Sequence, residues 1–244
     1  MRRESAPWAL LASLVAAQVG YSYVPAKRRE AATRGIVLLM LATSAAEAAA
    51  ARGPGPAARL LGSAGAVGFA AELVGTRTGL PFGRYSYGGG LGRKVAGVPL
   101  LAGAAWAMMA HPAWVTAGLI DERPGRRVPL AAGALAAWDV FLDPRMVRDG
   151  YWHWPGGGRY EGVPLSNFVG WFVTGLPLFA LFAVLDPDDD PEADGRGALA
   201  LYGWTWVGET FANAAIWRRP RVAAVGGLAM GAFAAPALTR FFRP

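Results

Sequence analysis

The chain has no cysteine and only two histidines, His111 and His153, in 244 residues. Zinc, haem, iron–sulfur and di-iron centres draw on cysteine sulfur and histidine nitrogen, and two histidines supply too few such ligands. A dinucleotide-binding fingerprint is also missing, because the glycines of "GGGLG" (88–92) follow a loop rather than a strand. If the protein is an enzyme, the sequence predicts one that works without a metal or a redox cofactor.

Charged residues are scarce at 17%, whereas 54% of the chain is hydrophobic. Long apolar runs replace the amphipathic patterns of a soluble domain, and about eight of them approach the length that crosses a hydrocarbon core. The first run lacks a convincing small-residue cleavage site, so a removable signal peptide is not expected. The sequence predicts one all-α domain over residues 1–244, a polytopic transmembrane helical bundle of seven or eight spans. The runs are 7–24, 34–50, 58–75, 97–119, 128–146, 163–185, 197–216 and 222–239.

The net charge of +7 does not indicate a nucleic-acid partner, because the basic residues are scattered through every connecting loop. Such scatter is typical of helices anchored among anionic membrane lipids. More than half of the 24 basic residues fall in the odd-numbered loops. The positive-inside rule then places those loops in the cytoplasm and both termini outside, in a protein of the cell membrane.

Two stretches resemble each other: "FGRYSYGGGLGRKVAGVPLLAGAAW" (82–106) and "YWHWPGGGRYEGVPLSNFVGW" (151–171). Each holds paired aromatic residues, a glycine run, and a Gly-Val-Pro-Leu that opens a helix with a tryptophan. Each follows a helix with a carboxylate near the same end, Glu72 or Asp139. The pattern predicts a helix–loop–helix unit used twice, with a shared site between parallel repeats. Convergence of two interfacial loops on aromatic belt residues and proline starts is the alternative. The units would cover about 58–119 and 128–185.

The two loops are too apolar for solvated linkers, and lipid does not tolerate irregular backbone. We therefore expect them to fold against the bundle or to roof a cavity with aromatic walls. His153 has an alternative role as an interfacial hydrogen-bonding residue. The candidate substrate-binding residues are Tyr85, Tyr87, Trp152, His153, Trp154, Tyr160, Asn167 and Trp171.

Carboxylates inside predicted spans are costly and therefore indicate function, although each could instead tie helices together. Asp139 and Asp143 are four residues apart and share a helix face, as do Glu209 and Asn213. Asp143 could also pair with a nearby arginine: Arg145, Arg148 or Arg159. Glu47 is a weaker candidate, and His111 is expected to be structural. The catalytic candidates are Asp139, Glu72, Asp143 and Glu209.

The acidic run "DPDDDPEAD" (186–194) is similar to the magnesium-binding motifs of intramembrane prenyltransferases. Those motifs aim carboxylates from a helix at a metal-bound diphosphate. Here two prolines interrupt the run and Arg196 is its one basic neighbour, so a solvated loop is favoured.

Three motifs in order carry a family resemblance: "ELVGTRTGLPFGRYSY", "WDVFLDP" and "YWHWPGGGRYEGVPLSNFVGW". Over roughly residues 65 to 215 the chain resembles the bacterial and archaeal carotenoid biosynthesis membrane proteins. These include bisanhydrobacterioruberin hydratase and gamma-carotene or lycopene-type 1,2-hydratases. The resemblance implies that water adds across the terminal double bond of an acyclic carotenoid, with carotenoid, water, membrane lipids and other enzymes of the pathway as partners. It carries no catalytic residues.

Hydration of such an alkene needs a proton donor and then water on a tertiary cation. A buried carboxyl group can stay protonated, but a partner must stabilise the carboxylate that it leaves. We therefore expect Asp139 or Glu72 to donate the proton and the other to orient water, with aromatic rings facing the cation. A non-catalytic carotenoid or lipid transporter or scaffold, or a prenyltransferase or elongase, are the alternatives.

Overall fold

The computed structural model of the chain describes residues 2–187, 190–191 and 195–243. Helices dominate this part of the chain, which confirms the all-α prediction, and each predicted apolar run overlaps one helix. A π-helix, Ala212–Ile216, continues the seventh α-helix. In chain order, α1 to α8 are Arg2–Gly20, Arg29–Arg52, Pro54–Thr78, Leu100–Ile120, Pro124–Arg148, Leu165–Leu185, Arg196–Phe211 and Pro220–Phe241.

Four helical segments are long and apolar enough to cross a membrane: Ala26–Arg52, Pro54–Thr78, Leu165–Leu185 and Pro220–Phe241. The bundle thus has candidate membrane spans, whereas a count of seven or eight stays a prediction. Helix α4 differs from these four because it is buried on nearly every face by α2, α3, α5, α7 and α8. A helix enclosed by protein is shielded from lipid by its neighbours.

The odd-numbered connections lie at one end of the bundle. The Tyr151 hydroxyl donates to Thr33 Oγ1 at 3.0 Å, which joins the α5–α6 loop to the start of α2. Arg34 reaches the carbonyl of Gly90 in the α3–α4 loop. Arg219 before α8 pairs with Glu161 at 2.8 Å. These contacts agree with the predicted placement of both aromatic loops on one side, and which side of the membrane this is stays a prediction.

The two aromatic loops pair with each other through short strands. Strand β1 (Ser86–Tyr87) is antiparallel to β4 (Trp152–His153), with Ser86 opposite His153 and Tyr87 opposite Trp152. The Gly88 amide extends this contact to the Tyr151 carbonyl at 2.8 Å. The join fixes one loop against the other above the helix ends.

Each loop ends in the same tight turn. Strands β2 (Lys94–Val95) and β3 (Val98–Pro99) form a hairpin in the first loop, and Tyr160 bridges Val163 in the second. The turn residues have positive φ in both loops, which is the backbone of a type I′ hairpin turn. They are Ala96 (51°), Gly97 (88°), Glu161 (54°) and Gly162 (88°).

Helices α4 and α6 begin immediately after the prolines of the two Gly-Val-Pro-Leu segments. Pro99 and Pro164 are extended N-cap residues, so the helices begin three and two residues after the predicted starts at 97 and 163. Seven residues beyond each proline, Trp106 and Trp171 stack with ring centroids 3.9 Å apart and planes 6° apart. The two segments are therefore alike in local structure.

Candidate functional site

A cavity with about 610 Å³ of empty space lies beneath the paired loops, among the ends of α3 to α6. Most of its wall is apolar or aromatic, which is typical of small-molecule sites. Its polar groups come from both helix–loop–helix segments. The lining includes Val37, Glu72, Phe82, Tyr85, Tyr87, Leu91, Leu101, Ala105, Trp106, Leu142, Asp143, Met146, Trp152, Trp154, Asn167 and Trp171.

Glu72 is the hydrogen-bonding centre of the first segment. Its Oε2 accepts hydrogen bonds from the Tyr85 and Tyr87 hydroxyls, the latter at 2.7 Å, and its Oε1 accepts one from Trp106 Nε1 at 3.0 Å. The two tyrosines are two residues apart in extended backbone, so their side chains lie on one face. That spacing lets one carboxylate oxygen accept from both.

Burial and the nearby Glu72 charge raise the pKa of Tyr85 and of Tyr87 well above the usual value. Both phenols therefore stay protonated and act as donors, and the Trp106 indole can only donate. These donors stabilise a negative charge on Glu72 against the cost of its burial.

Two aspartates of the second segment share one amide. Asp139 and Asp143 lie one turn apart on α5 and are 0% and 2% exposed. Asn167 Nδ2 donates to Asp139 Oδ2 at 2.7 Å and also to Asp143 Oδ2. Trp152 Nε1 donates to Asp143 Oδ1 at 3.1 Å, whereas Asp139 Oδ1 has no hydrogen-bond partner in the described part of the chain. The pair is thus less fully hydrogen-bonded than Glu72.

The predicted alternative that Asp143 pairs with an arginine is wrong. Arg145 faces Asp149 and Glu209 instead, and Arg148 faces Asp149. In residues 2–187, 190–191 and 195–243, no lysine or arginine forms an ion pair with Glu72, Asp139 or Asp143. The cavity therefore has carboxyl groups without a neutralising cation in contact.

The structure brings most of the predicted site residues together. Glu72, Asp143 and six of the eight predicted substrate-binding residues line the cavity, with Asp139 behind Asn167. His153 is exposed, with Nδ1 3.5 Å from Ser86 Oγ, and the Tyr160 hydroxyl donates to the Val140 carbonyl, so neither lines the cavity. The six are Tyr85, Tyr87, Trp152, Trp154, Asn167 and Trp171.

Glu209 lies elsewhere, in a second cavity, where its carboxylate is 3.6 Å from Arg145. Asn213 Nδ2 donates to Glu209 Oε2 at 3.3 Å, as the shared helix face predicts. Glu209 therefore does not join Glu72 and the two aspartates.

Sequence reasoning missed two features of the interior. Trp106 hydrogen-bonds Glu72, and its position seven residues after Pro99, matching that of Trp171 after Pro164, was a usable signal. His111 Nε2 pairs with Glu47 Oε2 between α4 and α2, where the sequence offers no local signal. This pair ties two helices together and supports the structural interpretation of His111.

The acidic run is only partly described, since residues 188, 189 and 192–194 lie outside the described residues. At its start Asp186 accepts a hydrogen bond from Arg52 at 2.5 Å, a basic partner that the sequence analysis did not identify. Within the described part of the chain, no cluster of three or more histidines and acidic residues is placed to hold a metal ion.

Comparison with known proteins gave two matches, one with a relative and one with a family model. Over 116 residues the chain is 32% identical to "Bisanhydrobacterioruberin hydratase" of Haloarcula japonica, a segment that covers 46% of this chain and 39% of that relative. The match thus spans well under half of the relative's length. No solved structure matches the chain. The family model for carotenoid biosynthesis proteins matches residues 34–233, which include both loops and every residue of the cavity, so the chain belongs to the carotenoid biosynthesis protein family.

Proposed function

We propose that this protein adds water across the terminal 1,2 double bond of an acyclic carotenoid end group and so forms a tertiary alcohol. The observation that carries the proposal is that Glu72 and the Asp139–Asp143 pair, in unequal hydrogen-bonding states, meet at one aromatic cavity. The Haloarcula japonica relative is named as a hydratase, which supports hydration over other carotenoid chemistry.

The proton comes from the aspartate pair. Two buried carboxyl groups that share one Asn167 amide repel each other when both are ionised, so the pair retains one proton. Asp143 faces the cavity and delivers that proton to C2 of the alkene, while Asn167 and Trp152 hydrogen-bond the carboxylate that remains. The sequence named Asp139 or Glu72 as the donor, and this proposal gives the role instead to Asp143, one turn along α5 from Asp139.

The tertiary cation that forms at C1 is stabilised by ring faces and by the negative charge of Glu72. Cation–π contacts contribute up to about 2 kcal/mol when they are desolvated. Tyr85, Trp152 and Trp154 supply such faces on the loop side of the cavity. The apolar wall keeps out all but the reacting water.

Glu72 acts as the base of the second half-reaction. Water attacks C1, Glu72 accepts the proton that the water loses, and the alcohol is complete. A proton then returns from Glu72 to the aspartate pair through water, so no oxidant, reductant or metal is consumed. The two proton transfers are general acid–base catalysis, which typically contributes 10²- to 10⁴-fold.

The substrate reaches this site from the bilayer, in which a long polyene is dissolved. In this proposal the end group enters the cavity, and the rest of the carotenoid extends out between helices. Val37 of α2 and Leu101 and Ala105 of α4 are partly exposed lining residues on such a path. In this proposal the bundle crosses the cell membrane seven or eight times, with the loops on the cytoplasmic side.

Expression of the chain in a host that makes lycopene tests the reaction directly. We expect pigments heavier by one or two waters, and growth in heavy-oxygen water should label the new hydroxyl group, because hydration takes its oxygen from water. The Asp143→Asn variant, matched for membrane accumulation by immunoblot, is the control. Unchanged pigment with abundant wild-type protein would favour a carrier, and a product with an added isoprenoid unit would favour a prenyltransferase.

A further inference from the structure

A second cavity lies beside the first, between the end of α1 and the junction of α7 with the π-helix. It has about 750 Å³ of empty space. Ile36 and Arg145 line it, and their chain neighbours Val37 and Met146 line the first cavity. π-Helical turns such as Ala212–Ile216 frequently mark functional sites. The two cavities thus flank the same stretches of α2 and α5.

Arg145 is the polar centre of this second cavity. Its guanidinium lies between the rings of Tyr21 and Trp217, 4.5 Å from each centroid, and its side chain is 18% exposed. Glu209 Oε1 is 3.6 Å from Nη1 and Asp149 Oδ2 is 4.0 Å from Nε, both beyond hydrogen-bonding distance. In the described part of the chain, the Arg145 N–H groups make no hydrogen bond, so they are held in place with their donors unused.

The rim of the second cavity is apolar and exposed. Val19 is 57% exposed, Phe211 is 63% exposed and Ile216 is 47% exposed. An occupant is therefore amphipathic: its apolar chain crosses this rim and its polar end meets Arg145 and Glu209.

The charges of the cavity select the polar end. The carboxylates of Glu209 and Asp149 already face the Arg145 guanidinium, so they would repel an anionic head group. A cationic head group would be repelled by Arg145. A hydroxyl group satisfies both neighbours, because it accepts from Arg145 and donates to Glu209.

We propose that the second cavity binds a neutral, lipid-soluble chain that ends in a hydroxyl group. Two sources have this chemistry, a hydroxylated carotenoid and a membrane diacylglycerol. The carotenoid alcohol as ligand rests on the proposed function, since it would be the product of that reaction. The proposal that the cavity binds a neutral alcohol does not depend on that function.

Binding to the purified full-length protein in phosphatidylcholine nanodiscs tests the proposal. The probes are a hydroxylated acyclic carotenoid and its parent hydrocarbon, followed by quenching of tryptophan fluorescence. We expect the alcohol to bind at least tenfold more tightly, because a hydrogen bond to a charged group contributes about 1.5–3 kcal/mol. Since the alcohol is added ready-made, this measurement stands even if the chain hydrates nothing.

A matched pair of α7 variants locates the site. A Cβ at Gly208 meets only Trp204, at 3.5 Å, so Gly208→Leu fills the cavity without a backbone clash. Gly203, on the same helix, has nothing within 4 Å and does not line the cavity. We expect Gly208→Leu to weaken alcohol binding at least tenfold and Gly203→Leu to change it less than twofold.

Competition experiments distinguish the two candidate ligands, a carotenoid alcohol and a diacylglycerol, and can refute the proposal. Displacement of the alcohol by dioleoylglycerol would identify the occupant as a membrane lipid, and failure to displace it would identify the carotenoid alcohol. Equal binding of alcohol and hydrocarbon, the same preference in Gly208→Leu, or stronger displacement by oleate would each refute a neutral hydroxyl site. The wild-type preference needs no variant, so poor folding of Gly208→Leu leaves the test intact.

Discussion

The two helix–loop–helix segments have nearly the same backbone and different chemistry. Both end in a turn with a glycine at φ 88°, a proline N-cap and a tryptophan that stacks on its counterpart. The carboxylate of the first accepts three hydrogen bonds from ring donors, whereas the aspartates of the second share Asn167 and leave one oxygen unpartnered. In the proposed function the two similar backbones hold a base in the first segment and an acid in the second, because their side chains differ.

The largest expected effect comes from Asp143→Asn, which removes the proposed donor and keeps its shape. Hydration should fall 10²- to 10⁴-fold, the usual contribution of a general acid. Product formation per membrane protein measures it, by chromatography of extracted pigment. Asp149→Asn, at the end of the same helix and outside the cavity, should stay within about twofold because exposed ion pairs contribute little. Similar activities in the two variants would contradict the acid assignment.

Replacement of Glu72 by glutamine should be almost as damaging, with a loss of about 10²- to 10³-fold as the base is removed. The amide also keeps its size, so the aromatic wall should persist. If the two segments act together, the double variant Glu72→Gln/Asp143→Asn should be about as active as the less active single variant, because the effects of residues that act as a unit are not additive. Independent losses that multiply would argue against coupled roles.

A middle-sized effect is expected for Tyr87→Phe, which removes one donor to a charged group. A loss of about 1.5–3 kcal/mol corresponds to roughly a tenfold to hundredfold drop in activity. Trp152→Phe, which removes the donor to Asp143, should act on the other segment by a similar amount. Steady-state rates at matched protein levels measure both, and a silent Tyr87→Phe would remove the need for a charged Glu72.

Alkaline stability follows from the same tyrosines. Burial raises the pKa of Tyr85 and Tyr87, so their contribution to stability is complete below the unfolded pKa near 10 and is lost as pH rises above it. The melting temperature of the wild type should therefore fall more steeply above pH 10 than that of Tyr87→Phe. Parallel pH profiles would show that Tyr87 ionises freely in the folded protein.

The smallest effects concern the two turns. Gly97→Ala and Gly162→Ala each place a Cβ at positive φ, which costs about 1–2 kcal/mol. A Cβ at Gly97 has nothing within 4 Å, whereas one at Gly162 meets Val147 Cγ1 at 3.3 Å, so the second variant should be slightly less stable. Melting temperatures by circular dichroism measure the difference. An unchanged melting temperature in either variant would show that the two turns do not share the same backbone requirement.

The sequence predicted the helices well because long apolar runs report burial or lipid contact directly. It also predicted that Glu72 and the aromatic loops share a space, from the echo between the two loops. It placed Tyr160 and His153 at the same site, and the structure does not. For His153 the reason is that a strand turns successive side chains to opposite faces. The exposed His153 follows the lining Trp152 in this way.

Composition and periodicity determined that this chain is an apolar helical bundle with buried carboxylates, since those properties are local or additive along the chain. Only the tertiary structure decided that Asn167 joins Asp139 to Asp143, that Trp106 reaches Glu72, and that Glu209 belongs to another cavity. The Asn167–Asp139, Trp106–Glu72 and Glu209–Arg145 contacts join residues that are 28, 34 and 64 positions apart in the sequence. Each contact lies between two different helices, so the packing of helices decides it.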